Sequence, residues 1–350
     1  MNMNKKVRWG VIGAGGIADR RTIPGILLCQ NAELTAVMEV NMELAEKSRA
    51  KWGCAKAYDN EADLLADPEV DAVYIASPVA LHARQAMAAA DVGKHVLVEK
   101  PLAMTAKEAR EVVAYCESRG VKIAAGFMMR FGSYIQAMKR AIAEGKIGRP
   151  VSGYAQFTCW YPYMPGAWRQ NKAASGGGAM MDMGVHCIDL MQYILDTSVK
   201  EVAAFHDTLS FRYEVEDTST VLLRMENGCQ CVVQSNFNIP SEVSKWRVEV
   251  FGDRGRLVGD GVIGQVDGGT LDAVFLDDAG GYVAMQDVAQ GQSENISVTF
   301  GNTYQREIES FSHSLLTGAD LECPASQAAQ VQAVMEAAYI SNDEGRTVKL

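Results

Sequence analysis

Three short segments carry side chains able to move a proton or hold an anion. The first is Gly176-Gly177-Gly178-Ala-Met-Met-Asp182-Met-Gly184-Val-His186-Cys-Ile-Asp189. On a helix, residues 182, 186 and 189 share one face, because positions i, i+4 and i+7 stack. Met181, Val185, Ile188 and Met191 surround them, so the row should be buried, and buried polar groups are costly unless they satisfy one another. Asp182 is therefore expected to bond His186. An imidazole oriented by a carboxylate is suited to accept a hydroxyl proton near neutral pH. A purely structural His–Asp pair and a metal site are the other readings. One histidine with no thiolate triad at ligand spacing makes the metal reading the poorer, and none is assigned.

The second segment, Lys94-His-Val-Leu-Val-Glu99-Lys100-Pro101, puts a lysine at the C-terminal end of an expected parallel strand. Ligands bind at that edge of open α/β sheets, and Pro101 restrains Lys100 to extended geometry. Taken alone, it reads better as a surface lysine in a loop. The third is Gly10-Val-Ile-Gly13-Ala-Gly15-Gly16-Ile17-Ala18, directly after the first strand. There Gly13 makes a tight turn, Gly15 lets the backbone approach a pyrophosphate, Ala18 permits close helix–sheet packing, and the helix N-terminus faces the anion. Glu39, at the end of the second strand, would accept from ribose hydroxyls and repel a 2′-phosphate, favouring NAD over NADP. Its neighbours Val40 and Asn41 bring no positive charge, although Arg20 and Arg21 are within reach of an anion.

These groups need a scaffold, and the hydrophobic pattern supplies one. The first third alternates short buried strands (7–12, 34–39, 71–76, 95–98, 121–125) with helices (17–28, 42–52, 78–90, 106–118), the rhythm of a doubly wound parallel sheet. After residue 125 the rhythm changes. A helix over 134–144 leads to a strand over 151–159, an aromatic, glycine-rich loop over 160–178 and a helix over 181–195. Strands near 200–210, 216–226, 229–239 and 245–251, joined by turns such as Asn227-Gly228, favour an antiparallel sheet. The stretch 260–300 reads as ragged strands and loops. Helices near 304–317 and 325–341 and a strand over 347–350 close the chain. The expected division is 1–125, a dinucleotide-binding Rossmann domain, and 126–350, a substrate-binding and oligomerisation domain.

Composition narrows the function classes. The chain has 350 residues, 48% hydrophobic and 22% charged, enough for about two domains at roughly 150 residues each. No window approaches the roughly 18 apolar residues of a membrane span. The apolar run near the start is short, glycine-rich and followed by Asp19, Arg20 and Arg21, unlike a signal peptide. A net charge of −10 argues against nucleic acid. Of the eight cysteines none forms a C-x-x-C pair, which fits reduced thiols and a cytoplasmic location. Cys229 and Cys231 face one side of a strand but lack partners for zinc.

The three motifs in this order resemble the glucose-fructose oxidoreductase / inositol dehydrogenase family, often written Gfo/Idh/MocA. The similarity runs over essentially the whole chain, including Ser77-Pro78-x-x-x-His82, residues 126–131 and the closing Glu344-Gly-Arg-Thr-Val-Lys-Leu. It implies a Rossmann domain followed by an α/β domain with a large open, mainly antiparallel sheet, and assembly as a homodimer or homotetramer. Activity would be hydride transfer between NAD(P) and a sugar, polyol or glycoside carbon. Lys100, Asp182 and His186 would be catalytic, with His186 the acid/base and Lys100 polarising the reacting oxygen. Gly13, Gly15, Gly16, Ile17, Glu39, Ser77, Pro78, His82, Glu99, Lys100 and Arg169 would hold the cofactor. Arg130 and Trp168 would join Lys100, Asp182 and His186 around the substrate, where the aromatic loop can lay a ring on a sugar face. Val79 stands where many members carry Asn, and His186 sets the chain apart from members with tyrosine there. Two other readings are an NAD-dependent glycosidase working by transient oxidation and elimination, and a dinucleotide-sensing regulator without turnover. The alternating apolar residues Val221, Leu223, Cys231 and Val233 are expected to form the self-association patch.

Overall fold

The computed structural model describes residues 5–278, 280–281 and 291–350. The chain divides into two compact units. The first comprises residues up to 128 with 173–176 and 302–333; the second comprises 129–172, 177–301 and 334–350.

In the first unit, β1 (Val7–Ile12), β2 (Ala32–Met38), β3 (Lys56–Tyr58), β4 (Ala72–Ile75), β5 (His95–Glu99) and β6 (Ile123–Gly126) form one parallel sheet in the order β3-β2-β1-β4-β5-β6. Between them run α1 (Ile23–Leu28), α2 (Met42–Trp52), α3 (Glu61–Ala66), α4 (His82–Asp91) and α5 (Ala106–Ser118). Local chemistry sets the helix ends. Asn41 accepts from the amides of Glu43 and Leu44 to start α2, and Gly53 at φ 70° stops it. Thr105 caps α5 through the amide of Glu108. The pair β3 and α3 went unseen in the sequence, since a three-residue strand is too short for a period to register. The helix expected over 17–28 opens with a π turn, Ala18–Thr22, before α1.

The remaining elements, in chain order, are α6 (Ser133–Ala143), β7 (Pro150–Thr158), the single turn α7 (Lys172–Ser175), α8 (Val185–Leu195), β8 (Val199–Asp207), β9 (Thr218–Met225) and β10 (Gln230–Asn236). After them come β11 (Arg247–Gly252), β12 (Gly255–Asp260), β13 (Thr270–Phe275), β14 (Ser293–Asn295), α9 (Thr303–Thr317), α10 (Ala325–Glu344) and β15 (Val348–Lys349). The stretch expected to be ragged thus contains two defined strands, β13 and β14, while residues 279 and 282–290 within it lie outside the described residues.

Helix α9 packs in the first unit, although a division at residue 125 would assign it to the second. Trp9 of β1 decides this: its ring meets Phe311 at 5.3 Å and its Nε1 donates to Ser312 Oγ at 3.1 Å. With Val11, Ile23, Ile26 and Ile308 they make a core that buries one face of the parallel sheet.

The second unit is built on a nine-stranded sheet in the order β14-β13-β12-β11-β7-β10-β9-β8-β15. Among the described residues only β7 and β10 run parallel; the other pairs are antiparallel. Period-two alternation sends Val221, Leu223, Cys231 and Val233 to the buried side, at 0–2% exposure. They are core, so they cannot supply the self-association patch expected of them. The opposite side carries Thr220, Leu222, Val232 and Gln234, with Tyr154 Oη donating to Gln234 Oε1.

Candidate active site

Every site residue expected in the first unit lies at or just beyond the C-terminal edge of its sheet. The glycine loop follows β1, Glu39 follows β2, Ser77 follows β4, and Glu99 ends β5. Beside β1 the chain order reverses direction, with β2 on one flank and β4 on the other. Such a switch point opens the crevice that α/β sheets use for nucleotides.

The loop is shaped as a dinucleotide requires. Gly13 has φ 80°, and a Cβ there would lie 3.0 Å from the backbone of Ala76 and Ser77. A side chain would thus collide with the end of β4, which is why the tight turn needs glycine. The amides of Gly13 and Ala14 donate to Met38 O. The amide of Gly15 donates to Glu39 Oε1 at 2.5 Å, so the acidic residue sits against the loop itself. Asn41 is occupied as a helix cap and Val40 is exposed. Gly16, at φ 51°, and Ile17 lead into the π turn.

Lys100 is anchored from both neighbours. Glu99 accepts from Tyr74 Oη and from the Lys100 amide, and Tyr74 in turn accepts from Thr22 Oγ1 at 2.9 Å. Burial first, then Glu99, raises the Tyr74 pKa well above the usual phenol value, so its hydroxyl keeps the proton it donates. On the other side Pro101 follows a cis peptide, and its carbonyl lies 2.9 Å from His82 Nδ1. His82 Nε2 lies 2.8 Å from the Ser77 carbonyl. Burial holds the His82 pKa below the ordinary histidine value, so the neutral ring donates its single N–H to one of the two carbonyls. His82, read from the sequence as a cofactor ligand, is 1% exposed and faces backbone. Its ring lies between the Ser77 loop and the Lys100 turn. The Ser77 hydroxyl donates to Gln85 Oε1. Thr22, Tyr74 and Gln85 had no signal in the sequence, since nothing local marks them.

In the second unit, residues 180–184 form a π turn that passes directly into α8. The wider turn breaks the uniform helical register assumed for residues 182, 186 and 189, and such turns recur at functional sites. Each acidic member of the row meets an arginine. Asp182 Oδ1 lies 3.4 Å from Arg169 Nε, both partly exposed, and the Arg169 guanidinium stacks 4.5 Å over Trp168. Asp189 receives Arg130 in a bidentate pair, with side chains 1% and 2% exposed. Arg130, expected beside the substrate, is buried with Asp189, and removing one partner of that pair would cost about 3–5 kcal/mol. His186 is 5% exposed and sits edge-on to Phe157 at 6.1 Å. Among the described residues no group of three or more His, Cys, Asp and Glu is placed to hold a metal, and no helix is long and apolar enough to cross a membrane.

Residues 7–127 match the model of an oxidoreductase family with an NAD-binding Rossmann fold, and residues 135–258 match the GFO/IDH/MocA C-terminal domain. The 1,5-anhydro-D-fructose reductase of Ensifer adhaerens is 34% identical over 265 residues, 75% of this chain and 79% of its own. The myo-inositol 2-dehydrogenase of Thermotoga maritima is 30% identical over 73% of this chain and 76% of its own. The crystal structure of an aldose-aldose oxidoreductase from Caulobacter crescentus, complexed with glycerol, shares the fold at TM-score 0.89 and 24% identity, covering 99% of this chain and 100% of that one.

Proposed function

This chain belongs to the GFO/IDH/MocA family of NAD-binding oxidoreductases, and on that premise we propose that it moves a hydride between a nicotinamide and a secondary alcohol or ketone carbon of a sugar, polyol or glycoside. The observation that carries the reading is the clustering of the glycine loop, Glu39 and the anchored Lys100 along one edge of the parallel sheet. Named relatives acting on an anhydro sugar and on an inositol support the substrate class.

A bound nicotinamide would supply the hydride acceptor, and the protein's own groups handle charge and protons. In the oxidative direction His186 takes the proton of the substrate hydroxyl. The Lys100 ammonium stabilises negative charge developing on that oxygen. Asp182, together with Arg169, orients the histidine side of the site. A panel of polyols, aldoses and aryl glycosides, followed at once by NADH absorbance and by released aglycone, tests this. Aglycone release without net reduction would point to the glycosidase reading. Tight coenzyme binding with no turnover of any member would leave the regulator.

For coenzyme choice, Glu39 is the discriminating residue. Its carboxylate, already hydrogen-bonded to the Gly15 amide, would place negative charge against a 2′-phosphate, while a second oxygen can accept from a ribose hydroxyl. NAD(H) should bind at least about tenfold tighter than NADP(H), about 1.4 kcal/mol. Glu39→Ala should narrow that gap in calorimetric titrations; equal affinities in the unmutated protein would remove the idea.

Self-association as a homodimer or homotetramer is part of the same reading. With the apolar side of the sheet internal, the face carrying Leu222 and Val232 is the one to test. Light scattering at micromolar concentration should give a mass above one chain, and Leu222→Lys should lower it. A monomer would end this claim.

A further inference from the structure

The helix that carries the acid–base residues has no cap of its own. Its N-cap residue is Ala179, which makes no side-chain cap bond, yet a helix start leaves amides that need partners. The partner comes from 38 residues further along the chain. The Gly178 amide donates to both carboxylate oxygens of Glu216 at 2.9 Å, and the Met180 amide to Oε1 at 3.0 Å. The Ala179 amide donates to the Glu216 carbonyl at 3.0 Å. Glu216 is itself held, because Tyr339 Oη of α10 donates to Oε1 at 2.8 Å. Burial, then the carboxylate, pushes the Tyr339 pKa far up, so this donor remains protonated. From Gly178 the ladder continues directly to the site, with the Asp182 amide donating to Gly178 O at 3.0 Å.

The same contacts account for the glycine run. A Cβ on Gly177 would lie 1.9 Å from Tyr339 Oη, and one on Gly178 would lie 2.0 Å from the Glu216 carbonyl oxygen. Neither position leaves room for a side chain. The run is therefore the imprint of Glu216 and Tyr339 pressing on the backbone.

We infer that Glu216, held by Tyr339, is a positioning residue that sets the backbone from which Asp182 and His186 project. The inference rests on the proposed acid–base role of those two residues for its consequence in turnover, but not for its geometry. Its test therefore has two arms on the full-length protein. With histidine selectively labelled, the chain has five ring signals, and that of His186 is identified by its loss in His186→Ala. In Glu216→Gln and Tyr339→Phe the His186 signal should move, because the backbone from which the ring projects is no longer pinned in the same place. In kinetics the same variants should lose about tenfold to a hundredfold in kcat, as sub-ångström misplacement of catalytic groups does. Their coenzyme affinity should stay within about twofold of the unmutated protein, since the remaining dinucleotide contacts are untouched.

An unmoved His186 signal overturns the inference, whatever the kinetics. So does a loss of kcat that only tracks the fraction of folded protein by circular dichroism. If Glu216→Gln does not fold, Tyr339→Phe, which removes a single oxygen atom, carries both arms. A His186→Ala variant that turns over normally would instead mark failure of the acid–base reading. The ring-signal arm would then still decide whether Glu216 sets this backbone.

Discussion

His186→Ala is expected to lower turnover by about 10²–10⁴-fold, the usual contribution of a positioned general acid or base. The residue is suited to the task by its surroundings. It follows a π turn whose start is pinned, it is almost wholly buried, and its ring is packed edge-on to Phe157, so its orientation is restricted before any substrate arrives. In the oxidative direction the unmutated enzyme should gain rate as pH rises through the pKa of this histidine, because only the neutral ring accepts a proton. That limb should be absent in the alanine variant. Dinucleotide affinity should stay within about threefold of the unmutated protein, since the adenosine contacts proposed above belong to the glycine loop and Glu39. Normal turnover by His186→Ala would show the residue to be structural.

Lys100→Met should cost at least as much, by removing positive charge from where an alkoxide develops. The lysine turn is held on one side by Glu99, Tyr74 and Thr22 and on the other by the contact of His82 with the Pro101 carbonyl. Such preorganisation is worth most in the transition state, so the loss should fall on kcat with coenzyme affinity little changed. Methionine keeps the length and apolar stem of lysine, which leaves charge as the difference measured. A variant with unchanged kcat and a raised KM would assign Lys100 to ground-state binding alone.

What the sequence by itself determined is the part written in local spacing. The βαβ rhythm, the glycine turn after the first strand, the acidic residue after the second, and the lysine just after the strand over 95–99 all follow from periods and neighbours a few residues apart. The spacing of residues 182, 186 and 189 suggested one helical face, but the π turn over 180–184 changed that register. Tertiary structure alone decided who partners whom. Asp189 meets Arg130 across 59 positions, Glu216 reaches Gly178 across 38 and Tyr339 across 123, and Trp9 meets Ser312 across 303. Alternation put Val221 with Leu223 on one side of their strand and Cys231 with Val233 on one side of theirs, but only packing of the whole unit showed that this side was the interior. The physical reason is common to all of these. A period records which side chains share a side, whereas the partner on that side is chosen by how distant segments fill space and satisfy buried charge.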